Sequence, residues 1–261
     1  LVDWNVELER VTGYSPEELN RIEVKRLVTL GDVPRMEGEL AQLRRQQGVH
    51  RSTGRLQTKQ GEAVPLLLSG SAISFGGQSY ILGFGLDTTE LQRAQAANAH
   101  AAALQSCTVN LARSLSIAEG GTFFERVERA LRPLIDLLGV DRAMLITGVH
   151  QDTAFSCVME WCSPRVPSVK AKLQDVPLNT LGPIEEQFRA GEVVAICDRE
   201  ELPADSILRE LAAASGVRSL LMAPLSGVDY VRGALSLSCI DARTWAPEEL
   251  ATLRVVGQIL A

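Results

Sequence analysis

The stretch "GVRSLLMAPLSGVDYVRGALSLSCIDARTWAPEELATLRVVGQILA", Gly216 to Ala261, decides the fold class. "VRSLLMAPL" is a short, nearly continuous apolar run, the pattern of a strand covered on both faces. After a turn around Gly227, "YVRGALSLSCI" changes to a period of two. Ala234, Ser236 and Ser238 alternate there with Leu235, Leu237 and Cys239, as the pleat of a strand demands. The two runs pair as an antiparallel hairpin. "WAPEELATLRVVGQILA" then opens a helix. Pro247 stands at its first position and Glu248 and Glu249 lie against the positive end of its dipole. A hairpin closed by a helix predicts an α+β domain with an antiparallel sheet.

The residues before this stretch complete that domain. "TFFERVERALRPLIDLLG" places Phe123, Phe124, Val127, Leu131, Leu134, Ile135 and Leu138 at helical spacing. Strands follow at Ala143–Val149 and Ala154–Cys162, the second with Phe155, Cys157, Met159 and Trp161 on one face. A proline-bearing loop, a helix near Ile184–Ala190, a strand Val193–Ile196 and a helix near Ile207–Ala214 lead into the hairpin.

The first ninety residues read as a separate domain. Residues 4–47 are helical, interrupted by turns. "SPEEL" is a capping box, with Ser15 as the N-cap, Pro16 at the first position and Glu18 reaching back. Ala246-Pro247-Glu248-Glu249 repeats this start without an N-cap side chain, which predicts a weaker first turn there. Adjacent helical glutamates point about 100° apart, so neither pair converges on a substrate. Asp32 and Pro34 open the next helix, which Gly48 ends. Three strands follow as a meander with turns at Lys59-Gln60-Gly61 and Gly76-Gly77. In the last, Tyr80, Leu82, Phe84 and Leu86 alternate with Ile81, Gly83 and Gly85.

From Asp87 the chain turns alanine-rich, and no Asp, Glu, Lys or Arg lies between Arg93 and Arg113. Alanine favours helix. Leu104, Cys107, Leu111 and Leu115 make a ragged seam spaced by three and four. It reads as a signalling helix that pairs with its copy in a homodimer; the alternative is that it folds back on a flanking domain. The expected organisation is therefore 1–90, a helical linker 91–117, and 118–261.

Bulk properties exclude several classes. Of 261 residues, 46% are hydrophobic and 22% charged, and the net charge is −6. That is globular composition. No Lys/Arg cluster points to nucleic acid or an anionic membrane surface, and no apolar run reaches the ~18 residues of a membrane span. Five scattered cysteines, none in a Cys-x-x-Cys pair, suit buried thiols in a reducing, cytoplasmic compartment. The chain starts mid-pattern with Leu1 and is expected to be part of a longer protein.

Residues 1 to about 93 resemble the PAS domain family. The resemblance is carried by "WNVELERVTGYSPEEL", "RLQTKQGEAVPLLLSGSAI" and "GFGLDTTELQRAQ". In the last, Asp87-Thr88-Thr89-Glu90 matches the family's closing Asp-Ile-Thr-Glu with Thr88 for Ile. The PAS first strand is not visible, so an N-terminally truncated domain is expected. Residues 105–261 resemble the GAF family, on the opening stretch and on "FRAGEVVAICDREELP" before it. The resemblance implies a cytoplasmic, dimeric sensory module of a bacterial signalling protein, upstream of a histidine kinase or, alternatively, a diguanylate cyclase or sigma-54-type activator. It implies Asp87, Thr89 and Glu90 as the joint that passes a signal into the linker helix.

No catalytic constellation emerges: nucleophile elbow, Walker loop and kinase nucleotide box are all absent. His50, His100 and His150 lie in different elements without metal-ligand spacing. The sequence argues against haem, since His50 falls past the helix that carries the ligand in haem-binding relatives. It argues against a photochemical flavin, since no cysteine precedes Cys107, and against bilin, since no Cys-His pair exists. Cys162 beside Trp161 reads as an ordinary strand residue rather than a redox centre. What remains is a pocket for a small ligand in the GAF-like half. Phe155, Cys157, Met159, Trp161 and Ser236 are its candidates, with core packing the default for the large ones. The expected function is non-catalytic sensing relayed through the helix; the alternative is a constitutive dimerisation scaffold without ligand.

Overall fold

The computed structural model describes every residue except 46–47, 117–120, 149–153, 182–183 and 227–230. His150, the last residue of the expected strand Ala143–Val149 and the turn around Gly227 lie outside the described residues. The chain divides into two compact units, Leu1–Asn98 and Ala99–Ala261.

The first unit begins with short helices, α1 (Val6–Thr12), α2 (Pro16–Leu19) and α3 (Val33–Arg45), separated by 3-10 turns at Val24–Leu27 and Leu30–Asp32. The capping box of α2 is present. Ser15 Oγ accepts from Glu18 N at 3.3 Å and Glu18 Oε2 from Ser15 N at 2.9 Å. Asp32 differs from its expected capping role. Its carboxylate accepts from Thr29, Arg55 and Arg35 instead, which holds it down at about 2. Strands β1 (Val49–Gln57), β2 (Ala63–Phe75) and β3 (Gln78–Asp87) form an antiparallel sheet in the order β1-β2-β3. Gly76 and Gly77 take φ of 59° and 80° between β2 and β3, the left-handed pair that a two-residue type I′ hairpin requires. On one face Leu56 and Leu66 are buried, and Gly70 lies close under Leu43 of α3. The other face leaves Leu82, Phe84 and Leu86 45%, 66% and 64% exposed.

Helix α4 runs from Thr89 to Ser116. Asp87 Oδ1 accepts from Thr89 N at 2.8 Å and starts it. The end of β3 thus passes directly into the helix. Residues 99–116 of α4 belong to the second unit, where Leu104 and Leu111 are buried and Cys107 and Leu115 pack beside them. The apolar seam is therefore occupied by the core of its own unit, as in the fold-back alternative. The long helix expected between the two domains is α4, and the division between the units falls inside it.

The second unit continues with α5 (Phe123–Leu138), β4 (Arg142–Thr147), β5 (Ala154–Cys162), β6 (Val176–Pro177), α6 (Ile184–Arg189), β7 (Val194–Ile196), α7 (Ile207–Ala214), β8 (Ser219–Ser226), β9 (Val231–Cys239) and α8 (Pro247–Leu260). The strands form an antiparallel sheet in the order β6-β5-β4-β9-β8-β7. Helix α5 starts with a second capping box, in which Thr122 Oγ1 accepts from Glu125 N at 3.3 Å and Glu125 Oε2 from Thr122 N at 2.8 Å. Val127, Leu131, Leu134, Ile135 and Leu138 form its buried stripe, while Phe123 and Phe124 stay 47% and 40% exposed. Helices α5 and α8 and the second half of α4 cover one face of the sheet. Gly257 sets the closest approach of α8: a Cβ there would stand 2.5 Å from the Pro224 carbonyl oxygen of β8.

The N-terminus of α8 keeps half of a capping box. Glu249 Oε2 accepts from Ala246 N at 2.8 Å, but Ala246 offers no oxygen to the first-turn N–H groups. Glu249 is also buried and pairs with Arg243 at 2.6 Å. Ala246 has the extended backbone of an N-cap, with φ −71° and ψ 148°. Ala246→Ser is therefore expected to stabilise the chain by about 0.5–1 kcal/mol, measured by denaturant unfolding followed at Trp245; no gain would mean that Glu249 alone satisfies this turn.

Candidate functional site

The two faces of the larger sheet do different work. On β4, β9 and β8, Ala143, Leu145, Leu235, Leu237, Leu221 and Ala223 face the three covering helices. Their alternates, Met144, Ile146, Ala234, Ser236, Leu220 and Met222, face the opposite way, toward α6, α7 and the 163–181 segment. Strand β5 breaks this alternation. Leu145 pairs with Met159 but Ile146 pairs with Cys157, so Val158 is an extra residue. Such a bulge resets the period of two. Phe155 and Cys157 consequently join the second face, while Met159 and Trp161 pack toward the helices. Arg132 of α5 stacks on Trp161 at 4.6 Å. The expectation of a single face for these four residues is thus corrected.

The second face roofs a cavity of about 60 Å³. Met144, Ile146, Leu220 and Met222 supply the sheet wall; Phe188 of α6 and Leu211 of α7 supply helical walls. Of the sequence candidates, Phe155 and Ser236 line it. Cys157 belongs to the surrounding core but not to the lining, and Met159 and Trp161 lie across the sheet. Ser238 and Arg142 also line it. Nothing in the composition of "RAMLIT" distinguishes Arg142 as an inward-facing charge, so sequence reasoning passed over it.

Arg142 is buried with Glu160, their side chains 4% and 3% exposed, and Nε lies 3.1 Å from Glu160 Oε1. The guanidinium also donates to Ser215 Oγ at 3.1 Å and to the Pro167 carbonyl at 2.6 Å. Glu160 accepts from Val169 N and Lys170 N at 3.0 Å each and from the Ser168 hydroxyl. Burial works against its charge, but these hydrogen bonds and the Arg142 guanidinium outweigh it and hold the carboxyl below the usual range. One ion pair thus fastens β4 and β5 to the 167–170 segment and to the end of α7. Val169 of that segment and Leu173 just after it line the cavity.

The remaining chemistry is inert. Burial raises the thiols of Cys107, Cys162 and Cys239, and pushes Cys157 up to about 11; none is an activated thiolate. His50 is the second residue of β1 and His100 lies on α4. Among the described residues no group of His, Cys, Asp or Glu could hold a metal ion, and no helix is long and apolar enough to cross a membrane. At the joint, the Thr89 hydrogen bonds hold the Asp87 carboxyl below its usual range, and Glu90 pairs with Arg93 at 2.9 Å.

Comparison with known proteins agrees with this architecture. Residues 125–261 match the GAF domain family and residues 1–84 the PAS fold. No curated protein matches the chain. Among solved structures, a phycocyanobilin-bound GAF domain from a cyanobacterial phytochrome is 23% identical over 62% of this chain and 91% of its own, with a TM-score of 0.47. The chromophore-binding domain of a Stigmatella aurantiaca phytochrome is 14% identical over 97% and 86%, also with a TM-score of 0.47. The GAF domain of a Coxiella burnetii phosphoenolpyruvate-protein phosphotransferase is 15% identical over 61% and 91%, with a TM-score of 0.48.

Glu160→Gln leaves the Arg142 charge buried without its counter-ion. It is expected to lower stability by about 3–5 kcal/mol and to speed hydrogen exchange at the Val169 and Lys170 amides. Because the folded carboxyl lies below its ordinary value of about 4.3, its contribution is present above that pH and is lost as pH falls through the lowered value. The acid limb of the wild-type stability profile should therefore flatten in the variant. An unchanged limb would show that Glu160 carries no acid sensitivity.

Proposed function

The chain belongs to the GAF domain family, and on that premise we propose that it is the sensory part of a signalling protein. The cavity between the second-unit sheet and α6, α7 and the 163–181 segment carries this reading. It is lined mainly by apolar side chains and adjoined by a segment held through one ion pair. Its volume, about 60 Å³, suits a small organic molecule and is far below the roughly 300–1,000 Å³ of sites for drug-sized ligands.

A ligand that prefers one arrangement of the 163–181 segment shifts the sheet between two states by its differential affinity. The second half of α4 packs on the same sheet, so it takes part in that shift. At its other end α4 is started by Asp87 at the end of β3. Helix α4 thus couples the first unit to the second, and in this reading the second unit relays the change to an output domain, a histidine kinase in first place and a diguanylate cyclase in second, in a cytoplasmic protein. Replacing residues 91–97 by a Gly-Ser segment in the longer natural protein should abolish stimulus-dependent output. Regulation that survives this replacement would sink the relay.

The same helix supports a homodimer, on a different face from the seam. Ala102, Gln105, Ser106 and Val109 are exposed, Val109 by 66%, and carry no charge. Val109→Glu is expected to shift the chain from dimer to monomer in sedimentation at micromolar concentration. A wild-type chain that sediments as a monomer there would remove the dimer from the proposal.

A further inference from the structure

The interior of the cavity holds two polar groups that the fold itself does not use. Ser236 and Ser238 sit two residues apart on β9, so both side chains point from the same face of the strand, and both line the cavity. Each residue is only 4% exposed. Neither hydroxyl donates to or accepts from any side chain or backbone group among the described residues. Both hydroxyls open on the cavity, where each is free to bond to whatever fills it; Ala234, one step along the same face, offers no such group.

The charge of the cavity is already balanced. Arg142 is the charged residue in the lining; Nη1 donates to Ser215 and Nη2 to Pro167, while Nε makes no hydrogen bond but lies 3.1 Å from the Glu160 carboxylate, which balances its charge. An anion entering the cavity would have to draw Arg142 from Glu160, leaving a carboxylate buried without its counter-ion. A cation would meet no free carboxylate, since Glu160 is occupied by Arg142 and three hydrogen bonds. Either charge would be desolvated without compensation.

We infer that the cavity takes a small neutral molecule with an apolar body and one hydrogen-bonding end, such as a short alcohol, ketone or amide. The polar end meets Ser236 and Ser238, each able to donate and accept. The body lies against Met144, Met222 and Phe155. A volume of about 60 Å³ is several times the roughly 10–15 Å³ that one water molecule needs on a comparable measure, room for a body of about four non-hydrogen atoms. This inference rests on reading the cavity as the sensing site.

Acetamide, acetate and acetamidinium have the same shape and differ in charge, so they test the inference directly. The 261-residue chain labelled at its methionine methyls provides the readout. Met144 and Met222 line the cavity, Met159 faces the opposite side of the sheet, and Met36 lies in the other unit. Acetamide should give saturable, millimolar shifts at Met144 and Met222 alone, with acetate and acetamidinium giving none. Ser236→Ala or Ser238→Ala should weaken acetamide about three- to tenfold, one hydrogen bond, while xenon still shifts the same methyls. Acetate or acetamidinium binding at least as tightly would overturn the neutral class and leave the sensory reading standing. Xenon shifts without acetamide saturation, or serine variants that bind acetamide unchanged, would also overturn it. If xenon moves neither cavity methyl, the cavity is closed to ligands and the sensory reading of this site falls as well.

Discussion

Arg142 and Glu160 are both withdrawn from water, and the cost of that withdrawal determines how the chain around them runs. A buried ion pair is stable only when its remaining donors and acceptors are also met. Here the partners come from two stretches of the sequence: the Pro167 carbonyl, the Ser168 hydroxyl and the Val169 and Lys170 amides in one, and Ser215 beyond α7 in the other. Residues far apart in sequence are thereby drawn over one face of one sheet. The cavity is what that arrangement leaves between the covering segment and the strands. Its apolar lining and its lack of a free charge follow from the same arrangement, because the charge that lines it is already neutralised.

How much of this was legible depends on whether the signal is local. The antiparallel hairpin Val217–Ile240, the Gly76-Gly77 turn, the amphipathic α5 and the capping box at Ser15 are written in neighbouring residues, and each was read from them. The bulge in β5 was not. Phe155, Cys157, Met159 and Trp161 alternate without a break in sequence, and only the pairing of Leu145 and Ile146 with the neighbouring strand reveals Val158 as surplus. Ser236 was noticed through its small size on an alternating strand, a local property. Arg142 was not, because its role depends on Glu160, on the Pro167 carbonyl twenty-five residues away and on the Ser215 hydroxyl seventy-three residues away. The Thr122 capping box is a miss of a different kind, since Thr-x-x-Glu stands openly in the sequence.

Helix α4 shows why a seam identifies burial but not the partner that buries it. Leu104 and Leu111 recur at a coiled-coil interval, which a second copy or the helix's own domain could satisfy equally well. The core of the second unit claims them. The charge-free character of the helix outlasts that assignment, because its exposed side carries no charge between Arg93 and Arg113 either. Burial of one face does not explain an uncharged opposite face.

The contact between α8 and β8 has a mechanical meaning. Most helices rest on a sheet through side chains, which take up small shifts by rotating. At Gly257 the helix backbone lies directly against the Pro224 carbonyl, and there is nothing between them to rotate. The same strand presents Leu220 and Met222 to the cavity. A displacement of β8 of a few tenths of an ångström meets no slack at this point and is handed to the final helix as a rigid push.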